Sequence, residues 1–175
     1  MSYYNAYEPT LFIMVGLPGS GKSTFLKRRA HEFSTSRWGY TVVSRDAIRF
    51  SLLSDTDDYF AKENEVFKKF TQEIFDGLKV GKDVFADATH LNEKSRMRLL
   101  SGVLDCQKNN LDKHVCGYQV AVICMDTPLE ECLSRNAKRK DRQLVPRQTI
   151  ISMSNSLTFP EATDMKYAKV YYIQV

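Results

Sequence analysis

The sequence predicts an α/β fold in which a mostly parallel, five-stranded sheet is covered by helices on both faces. Three observations support this prediction. The short apolar runs of the chain are continuous rather than alternating, which is typical of strands buried on both faces. Segments with helical spacing separate these runs, and strands that alternate with helices along a chain form parallel sheets. A glycine-rich segment, residues 15–24, connects the first strand to the first helix.

The apolar runs define the strands. We expect them at Thr10–Val15, Thr41–Ser44, Asp83–Ala88, Tyr118–Met125 and Lys169–Val175. A chain of 175 residues is long enough for one domain with a sizeable core and too short for two. We therefore expect residues 1–175 to form a single domain.

Helical signals fill the segments between the strands. We expect helices over Ser23–Phe33 and Tyr59–Leu78, and further helices that begin near Asn92, Pro128 and Pro146. Thr127 and Glu130 fit a T-x-x-E capping box, and both prolines suit the first position of a helix. The polar, basic stretch of residues 134–146 lies between the last two helices. We interpret it as a lid rather than a linker.

Composition and charge narrow the class of protein. The net charge of +4 is compatible with ligands that carry phosphate. Without a C-x-x-C pair, and with only 3 histidines, the chain is unlike a zinc protein or a disulfide scaffold. We expect reduced and mostly buried thiols at Cys106, Cys116, Cys124 and Cys132. No signal peptide or membrane span is evident, so we expect a cytoplasmic protein. A homo-oligomer is compatible with the sequence but not indicated by it.

The segment "GLPGSGKS" fits G-x-x-x-x-G-K-[ST], the phosphate-binding loop of the P-loop NTPases, in the expected context of a strand followed by a helix. Its glycines let backbone N–H groups converge on an anion, and the helix N-terminus adds a partial positive charge. The lysine can reach the terminal phosphates, and the serine hydroxyl can bind Mg²⁺. The expected ligand is ATP with Mg²⁺. The residues that would hold it are Gly16, Pro18, Gly19, Ser20, Gly21, Lys22, Ser23 and Thr24.

Asp46 and Arg49 follow the second predicted strand, three residues apart. In an open parallel sheet, ligands bind beyond the carboxyl ends of the strands. A carboxylate there can accept the proton of an attacking hydroxyl, and an arginine one helical turn on can hold a phosphate. The alternative is that Asp46 only caps a helix and Arg49 is a surface charge. The phosphate loop on a neighbouring strand favours the functional interpretation.

Asp87 ends the third predicted strand, at the position of a Walker B aspartate. There it can orient the water shell of Mg²⁺ or the loop hydroxyls, together with Ser23 as a metal-site residue. Thr89 and His90 follow in the loop, and Thr89 is a candidate substrate contact. His90 is the weaker candidate, because loop histidines are commonly just exposed.

The basic segment "LSRNAKRKDR" carries candidate arginines for the transferred phosphoryl group. Negative charge spreads over the γ-phosphate oxygens during transfer, and arginines that close over them stabilise the transition state and exclude water. Arg135 is the first candidate, followed by Arg139 and then Arg142. The alternative is a solvated charged face.

These segments together resemble the kinase domain of the phage-type polynucleotide 5′-hydroxyl kinases, members of the P-loop kinase superfamily. The likeness rests on "GLPGSGKST", "SRDAIR", "DATHLN" and "RNAKRKDRQLVP". It implies transfer of the γ-phosphate of ATP to the 5′-hydroxyl of DNA or RNA, with Lys22 and Ser23 binding ATP and metal. The D-x-D-G-T motif of an appended phosphatase is absent from this sequence, so only kinase activity is expected.

The resemblance also implies roles at the other matching positions. Asp46 would be the general base that activates the 5′-hydroxyl, and Arg49 would contact phosphate at the acceptor end. Asp87 would support the loop and the metal, while Arg135 would contact the transferred phosphoryl group. The catalytic set is therefore Asp46, Lys22, Arg135 and Arg49, with Arg139 as a further ATP contact.

Two other functions are compatible with a phosphate-binding loop. A small-molecule kinase that acts on a nucleoside, sugar or other metabolite would use the same aspartate and arginine. A nucleic-acid acceptor calls for stacking aromatics near Asp46. Phe50, Tyr59 and Phe60 could supply them, or could equally be core residues. A non-catalytic nucleotide-binding module is disfavoured, because it has no use for a proton acceptor beside a phosphate-binding arginine.

Overall fold

The structure, a computed structural model, describes residues 8–110, 117–140 and 143–174. The strands of this part are β1 (Thr10–Val15), β2 (Tyr40–Ser44), β3 (Asp83–Asp87), β4 (Gln119–Asp126) and β5 (Lys169–Gln174). Its helices are α1 (Lys22–Phe33), α2 (Arg45–Leu52), α3 (Glu63–Lys79), α4 (Glu93–Lys108), α5 (Leu129–Ala137) and α6 (Arg147–Asn155).

The five strands form one parallel sheet in the order β2-β3-β1-β4-β5. The predicted fold class is confirmed. Because all strands run in one direction, their carboxyl ends share one edge, where the glycine-rich loop follows Val15. The pairing of Ser44 with Asp87 places the ends of β2 and β3 side by side on that edge. The sheet thus gathers the three predicted motifs without any contribution from distant loops.

Both faces of the sheet are buried, as the continuous apolar runs predict. Leu11, Ile13 and Val15 of β1 pack with residues of α3 and α4, whereas Phe12 and Met14 pack with residues of α1. Each side chain of this kind that is removed from water contributes about 1.5–3 kcal/mol, so burial on two faces fixes the strand in the centre of the sheet. A smaller core joins the loop residue Leu17 to α5 and α6.

Two helices differ from the prediction in extent. The helical turn from Asp46 to Arg49 that the sequence suggests belongs to a full helix, α2, which begins at Arg45. The long third helix begins at Glu63 rather than at Tyr59, and residues 59–62 form turns. The Asp58 side chain accepts a hydrogen bond from the Phe60 backbone N–H, 2.9 Å, and such local bonds compete with helix formation.

The predicted capping box of α5 is wrong. Pro128 occupies the N-cap position itself, and no side chain caps the helix. The Thr127 hydroxyl instead donates a hydrogen bond to the Ser20 carbonyl, 2.9 Å, in the glycine-rich loop. Pro146 is likewise the N-cap residue of α6 rather than its first helical residue. Tertiary anchoring of the loop has overridden a local sequence pattern.

The thiols within the described ranges agree with the prediction. Cys124 and Cys132 are buried, Cys106 is half-buried, and all three are free. Burial raises the pKa of Cys124 to about 12, which makes it unreactive. Cys116 lies outside the described residues. None of the helices that the structure describes is both long and apolar enough to cross a bilayer.

Candidate active site

The glycine-rich loop is held tightly against α5. Gly19 adopts a positive φ of 84°, and a Cβ at this position would lie 2.4 Å from the Cys132 carbonyl oxygen. Any other residue would therefore clash with the helix backbone. On the opposite side, the Gly16 N–H donates to the Thr89 carbonyl, 3.1 Å. The loop is fixed from both sides, which preorganises its N–H groups for an anion.

Lys22, the first residue of α1, is buried inside the loop that it belongs to. Its Nζ donates to the Gly16 carbonyl at 2.9 Å and to the Leu17 carbonyl at 2.8 Å. Burial lowers the pKa of this amine to about 8, although the nearby Asp87 carboxylate acts in the opposite direction. A negatively charged ligand in the loop would stabilise the protonated amine and raise its pKa again.

Ser23 and Asp87 meet across the loop, as predicted. The Ser23 hydroxyl donates to Asp87 Oδ2 at 2.9 Å. Burial raises the pKa of Asp87, and the Ser23 hydrogen bond and the Lys22 charge oppose this shift. A hydroxyl and a carboxylate are the hard oxygen ligands that Mg²⁺ prefers. Across the described residues there is no cluster of three or more His, Cys, Asp or Glu ligands.

Asp46 is exposed at the cleft while one of its oxygens is held firmly. Its side chain is 65% exposed, and its Oδ1 accepts from Arg49 Nη1 at 2.7 Å and from the Tyr59 hydroxyl at 2.9 Å. Tyr59 also accepts from Arg49 Nη1, 2.8 Å. Burial, together with the smaller effect of the Asp46 charge, raises the pKa of Tyr59 to about 12, so its hydroxyl stays a donor. The other carboxylate oxygen, Oδ2, accepts no hydrogen bond from the described residues.

Arg49 is anchored from behind by Glu63. Its side chain is only 6% exposed, and its Nη2 donates to Glu63 Oε2 at 2.7 Å. Glu63 also pairs with Arg45. Although burial acts in the opposite direction, these two arginines hold the pKa of Glu63 below its usual range. Arg49 Nε is buried without a hydrogen-bond partner. The arginine is thus held in a fixed position, with one buried donor left unsatisfied.

The charges of Asp46 and Arg139 influence the pKa values of Lys22 and Asp87. Burial lowers the pKa of Lys22 the most, and the Asp87 carboxylate opposes this shift. Of the smaller effects, Arg139 lowers the pKa of Lys22 and Asp46 raises it. The same two groups also act on the pKa of Asp87. The candidate base and the candidate lid arginine thus act in opposite directions on the ionisation of both Lys22 and Asp87.

The candidate lid is tied at its base. Asn136 is buried, and its side chain donates to the Val145 carbonyl at 2.7 Å and accepts from the Val145 N–H at 3.1 Å. Arg135 Nη1 lies 3.5 Å from the position of a Cβ at Gly21, directly above the loop, while its Nε pairs with Glu131. Arg139 is exposed. Arg142 lies outside the described residues.

His90 is not a substrate contact in this arrangement. It is buried, and its Nδ1 lies 3.0 Å from the Met14 carbonyl, behind the phosphate loop. Burial lowers the pKa of His90 to about 4, which keeps the ring neutral. Of the three aromatics considered, Phe60 is 64% exposed, whereas Tyr59 belongs to the Asp46 cluster.

Glu63 and Asn136 were not identified from the sequence as parts of the site. Tyr59 was expected only as a stacking aromatic or a core residue, not as a hydrogen-bond partner of Asp46 and Arg49. Each acts through a partner 9 to 14 positions away. No local spacing reveals such a pairing. For Asn136, its place between a predicted helix and a basic loop was the available signal.

The family model of the AAA domain matches residues 11–160, which include the glycine-rich loop, Asp46, Asp87 and the candidate lid. The chain belongs to the AAA domain family. The matched residues extend from β1 to the segment beyond α6.

Three proteins illustrate what this AAA domain is similar to. A protein of Autographa californica nuclear polyhedrosis virus, assigned as a bifunctional polynucleotide kinase/RNA ligase, is 29% identical over 153 residues, which make up 80% of this chain and 20% of that protein. A chain from the structure of the Pnkp1/Rnl/Hen1 RNA repair complex matches with a TM-score of 0.67 and 24% identity, over 90% of this chain and 47% of that one. A sugar kinase from Janibacter sp. HTCC2649 matches with a TM-score of 0.58 and 14% identity, over 95% and 85%.

The chain therefore spans a fifth of the viral relative and less than half of the repair-complex chain. The two structural matches establish the fold alone. That fold is the three-layer arrangement of the P-loop kinases, as the sequence predicts.

Proposed function

We propose that this protein is an ATP-dependent kinase that transfers the γ-phosphate of ATP to the 5′-hydroxyl end of DNA or RNA. One observation carries the proposal. The Asp46 carboxylate stands exposed at the cleft, fixed through Oδ1 by Arg49 and Tyr59, and within electrostatic reach of Lys22. The name of the viral relative supports nucleic acid as the acceptor.

The loop of residues 16–23 would hold the phosphates of ATP. Lys22 would exchange its two carbonyl partners for the β- and γ-phosphate oxygens. Ser23 and Asp87 fit a Mg²⁺ site, and bound Mg²⁺ would neutralise charge on the phosphates. Thr24 is exposed beside Ser23, at the mouth of the loop.

Asp46 would act as the general base. Its free Oδ2 would accept the proton of the 5′-hydroxyl as that oxygen attacks the γ-phosphorus and the bond to the β-phosphate oxygen breaks, releasing ADP. Arg49 would hold the acceptor phosphate nearest to the reacting hydroxyl. Arg135 and Arg139 would balance the charge on the transferred group. Residues 134–146 would be the lid that excludes water.

A small-molecule kinase is the second candidate. The sugar kinase match covers most of both chains, so the same fold is compatible with a compact acceptor. We also propose a single domain for residues 1–175 and a cytoplasmic location.

Label transfer from γ-³²P-ATP tests the proposal. Wild-type protein should label a 5′-hydroxyl oligonucleotide, and it should not label the same oligonucleotide that already carries a 5′-phosphate. Sugars and free nucleosides serve as competing acceptors in parallel reactions. Labelling of a sugar or nucleoside without labelling of the oligonucleotide would move the assignment to a small-molecule kinase.

A further inference from the structure

Two guanidinium groups lie near the ring of Phe67, a residue of α3. The Arg98 Cζ is 4.4 Å from the ring centroid, and the Arg45 Cζ is 5.8 Å from it. Arg45 directly precedes the candidate base, Asp46. A strip of cations and an aromatic ring therefore leads from the cleft across α3 to α4. The proposed transfer reaction uses none of Arg45, Phe67 and Arg98.

The α4 side of this strip carries a second cation. A Cβ at Gly102 would lie 3.0 Å from Phe67 Cζ, so the face of α4 that contains position 102 is turned to the ring. Arg98 and Lys94 lie one and two turns earlier on that face. Both are exposed, and neither pairs with a carboxylate of the residues that the structure describes.

The two exposed cations of α4, Lys94 and Arg98, do not favour the helix. Like charges four residues apart destabilise a helix, and Lys94 stands in the first turn of α4, where the helix dipole disfavours a cation. The Arg98 guanidinium lies against the Phe67 ring while the Arg98 side chain remains exposed. An exposed guanidinium and an ammonium one helical turn apart can bind a base and a phosphate together.

We propose that the surface formed by Arg45, Phe67, Lys94 and Arg98, here called the α3–α4 strip, binds the acceptor strand beyond its first nucleotide. The ligand is a single-stranded nucleic acid, with one base stacked on Arg98 and a backbone phosphate on Lys94. A sugar or mononucleoside would end at Asp46 and Arg49 and would not reach α4. This inference rests on the proposed function and specifies its substrate as a strand of several nucleotides.

Acceptor length provides the test. The ratio of kcat/KM for a 5′-hydroxyl oligonucleotide of about twelve residues to that for a nucleoside 3′-monophosphate is measured for each variant. Arg98→Gln and Phe67→Leu should each lower this ratio by about 5- to 30-fold, because a base loses its stacking platform. Lys94→Gln should reduce the salt dependence of oligonucleotide kcat/KM by a slope of about 0.7, the value for one single-strand phosphate.

Arg28→Gln is the matched control, since Arg28 is an exposed arginine of α1 that pairs with no described carboxylate. It should keep the wild-type ratio, and thermal unfolding should show that all variants fold. A wild-type enzyme that uses both acceptors equally well, or variants that keep the wild-type ratio, would overturn the inference and leave the proposed function standing. An enzyme that phosphorylates neither acceptor would overturn both.

Discussion

The burial of Lys22 places its amine where an anionic ligand would bind, but it destabilises the protein in the absence of that ligand. Burial lowers the pKa of its amine from 10.5 to about 8, so between these values the unfolded chain binds more protons than the folded one. The contribution of Lys22 to the free energy of unfolding therefore rises with pH through this window, and its burial cost is fully present below about pH 8.

Nucleotide binding should reverse this shift. At about pH 8.5, ATP binding should take up part of a proton as phosphate oxygens raise the pKa of Lys22 again. Calorimetry in two buffers of different ionisation enthalpy measures this uptake. Lys22→Met should abolish it and weaken ATP binding by roughly 10- to 100-fold, the loss of a charge-assisted contact. Equal proton uptake by both proteins would show that Lys22 does not meet the phosphates.

At the scale of elements, the loop between α5 and α6 depends on one amide. Asn136→Ala would remove both hydrogen bonds to Val145 and leave two backbone groups unsatisfied, at a cost of about 1–2 kcal/mol to local closure. Tryptic cleavage after Lys138, Arg139 or Lys140 should then become roughly 5- to 30-fold faster. Asn155→Ala, at the exposed end of α6, is the control and should cleave at the wild-type rate. Equal rates for the two variants would contradict the role of Asn136.

Helix α4 is joined to the C-terminal part of the chain by a buried arginine. Arg96 donates to the Thr158 carbonyl at 2.9 Å, to the His90 carbonyl at 3.3 Å and to the Tyr167 hydroxyl at 3.2 Å. These bonds stabilise the segment that leads into β5. They also fix the loop that follows β3, behind the phosphate site.

Arg96→Met should lower the free energy of unfolding by about 2–4 kcal/mol, because two buried carbonyls lose a charged donor. Tyr167→Phe should cost only about 1 kcal/mol. Urea unfolding measures both losses of stability, and an unchanged m-value shows that the variants unfold in the same way as the wild-type protein. Arg28→Met, on the exposed face of α1, should change stability by less than about 0.5 kcal/mol. A loss from Arg96→Met no larger than that of the control would show that the bonds are unimportant.

At the scale of the whole molecule, the sheet was predictable because its strands are buried on both faces. Their apolar runs show the strand limits almost to the residue, as β1 and β3 demonstrate. The convergence of Ser23, Asp46 and Asp87 was also predictable, since parallel strands end at one edge. Their catalytic and metal-binding roles stay predictions.

The features that the sequence did not reveal depend on contacts between distant residues, which leave no periodic pattern in the sequence. Thr127 matched a capping box, yet it anchors the phosphate loop. His90 lies in the loop beyond β3, as expected, yet it is buried against the Met14 carbonyl rather than exposed. Arg96 gave no signal, because a charged residue at helical spacing normally indicates a solvated face. The partners of Thr127 and His90 lie 107 and 76 positions away, and Tyr167 lies 71 positions from Arg96.

The whole account depends on Asp46 acting as a proton acceptor opposite the phosphate loop. Single-turnover phosphorylation of a 5′-hydroxyl oligonucleotide by Asp46→Asn tests this most directly, with ATP affinity measured on the same protein. Asp126→Asn, an exposed aspartate at the end of β4 on the same edge of the sheet, is the control. Asp46→Asn should slow the chemical step by about 10²- to 10⁴-fold and change ATP affinity by less than about twofold, while the control keeps the wild-type rate. A wild-type rate in Asp46→Asn, or a collapse of its ATP binding, would contradict the assignment.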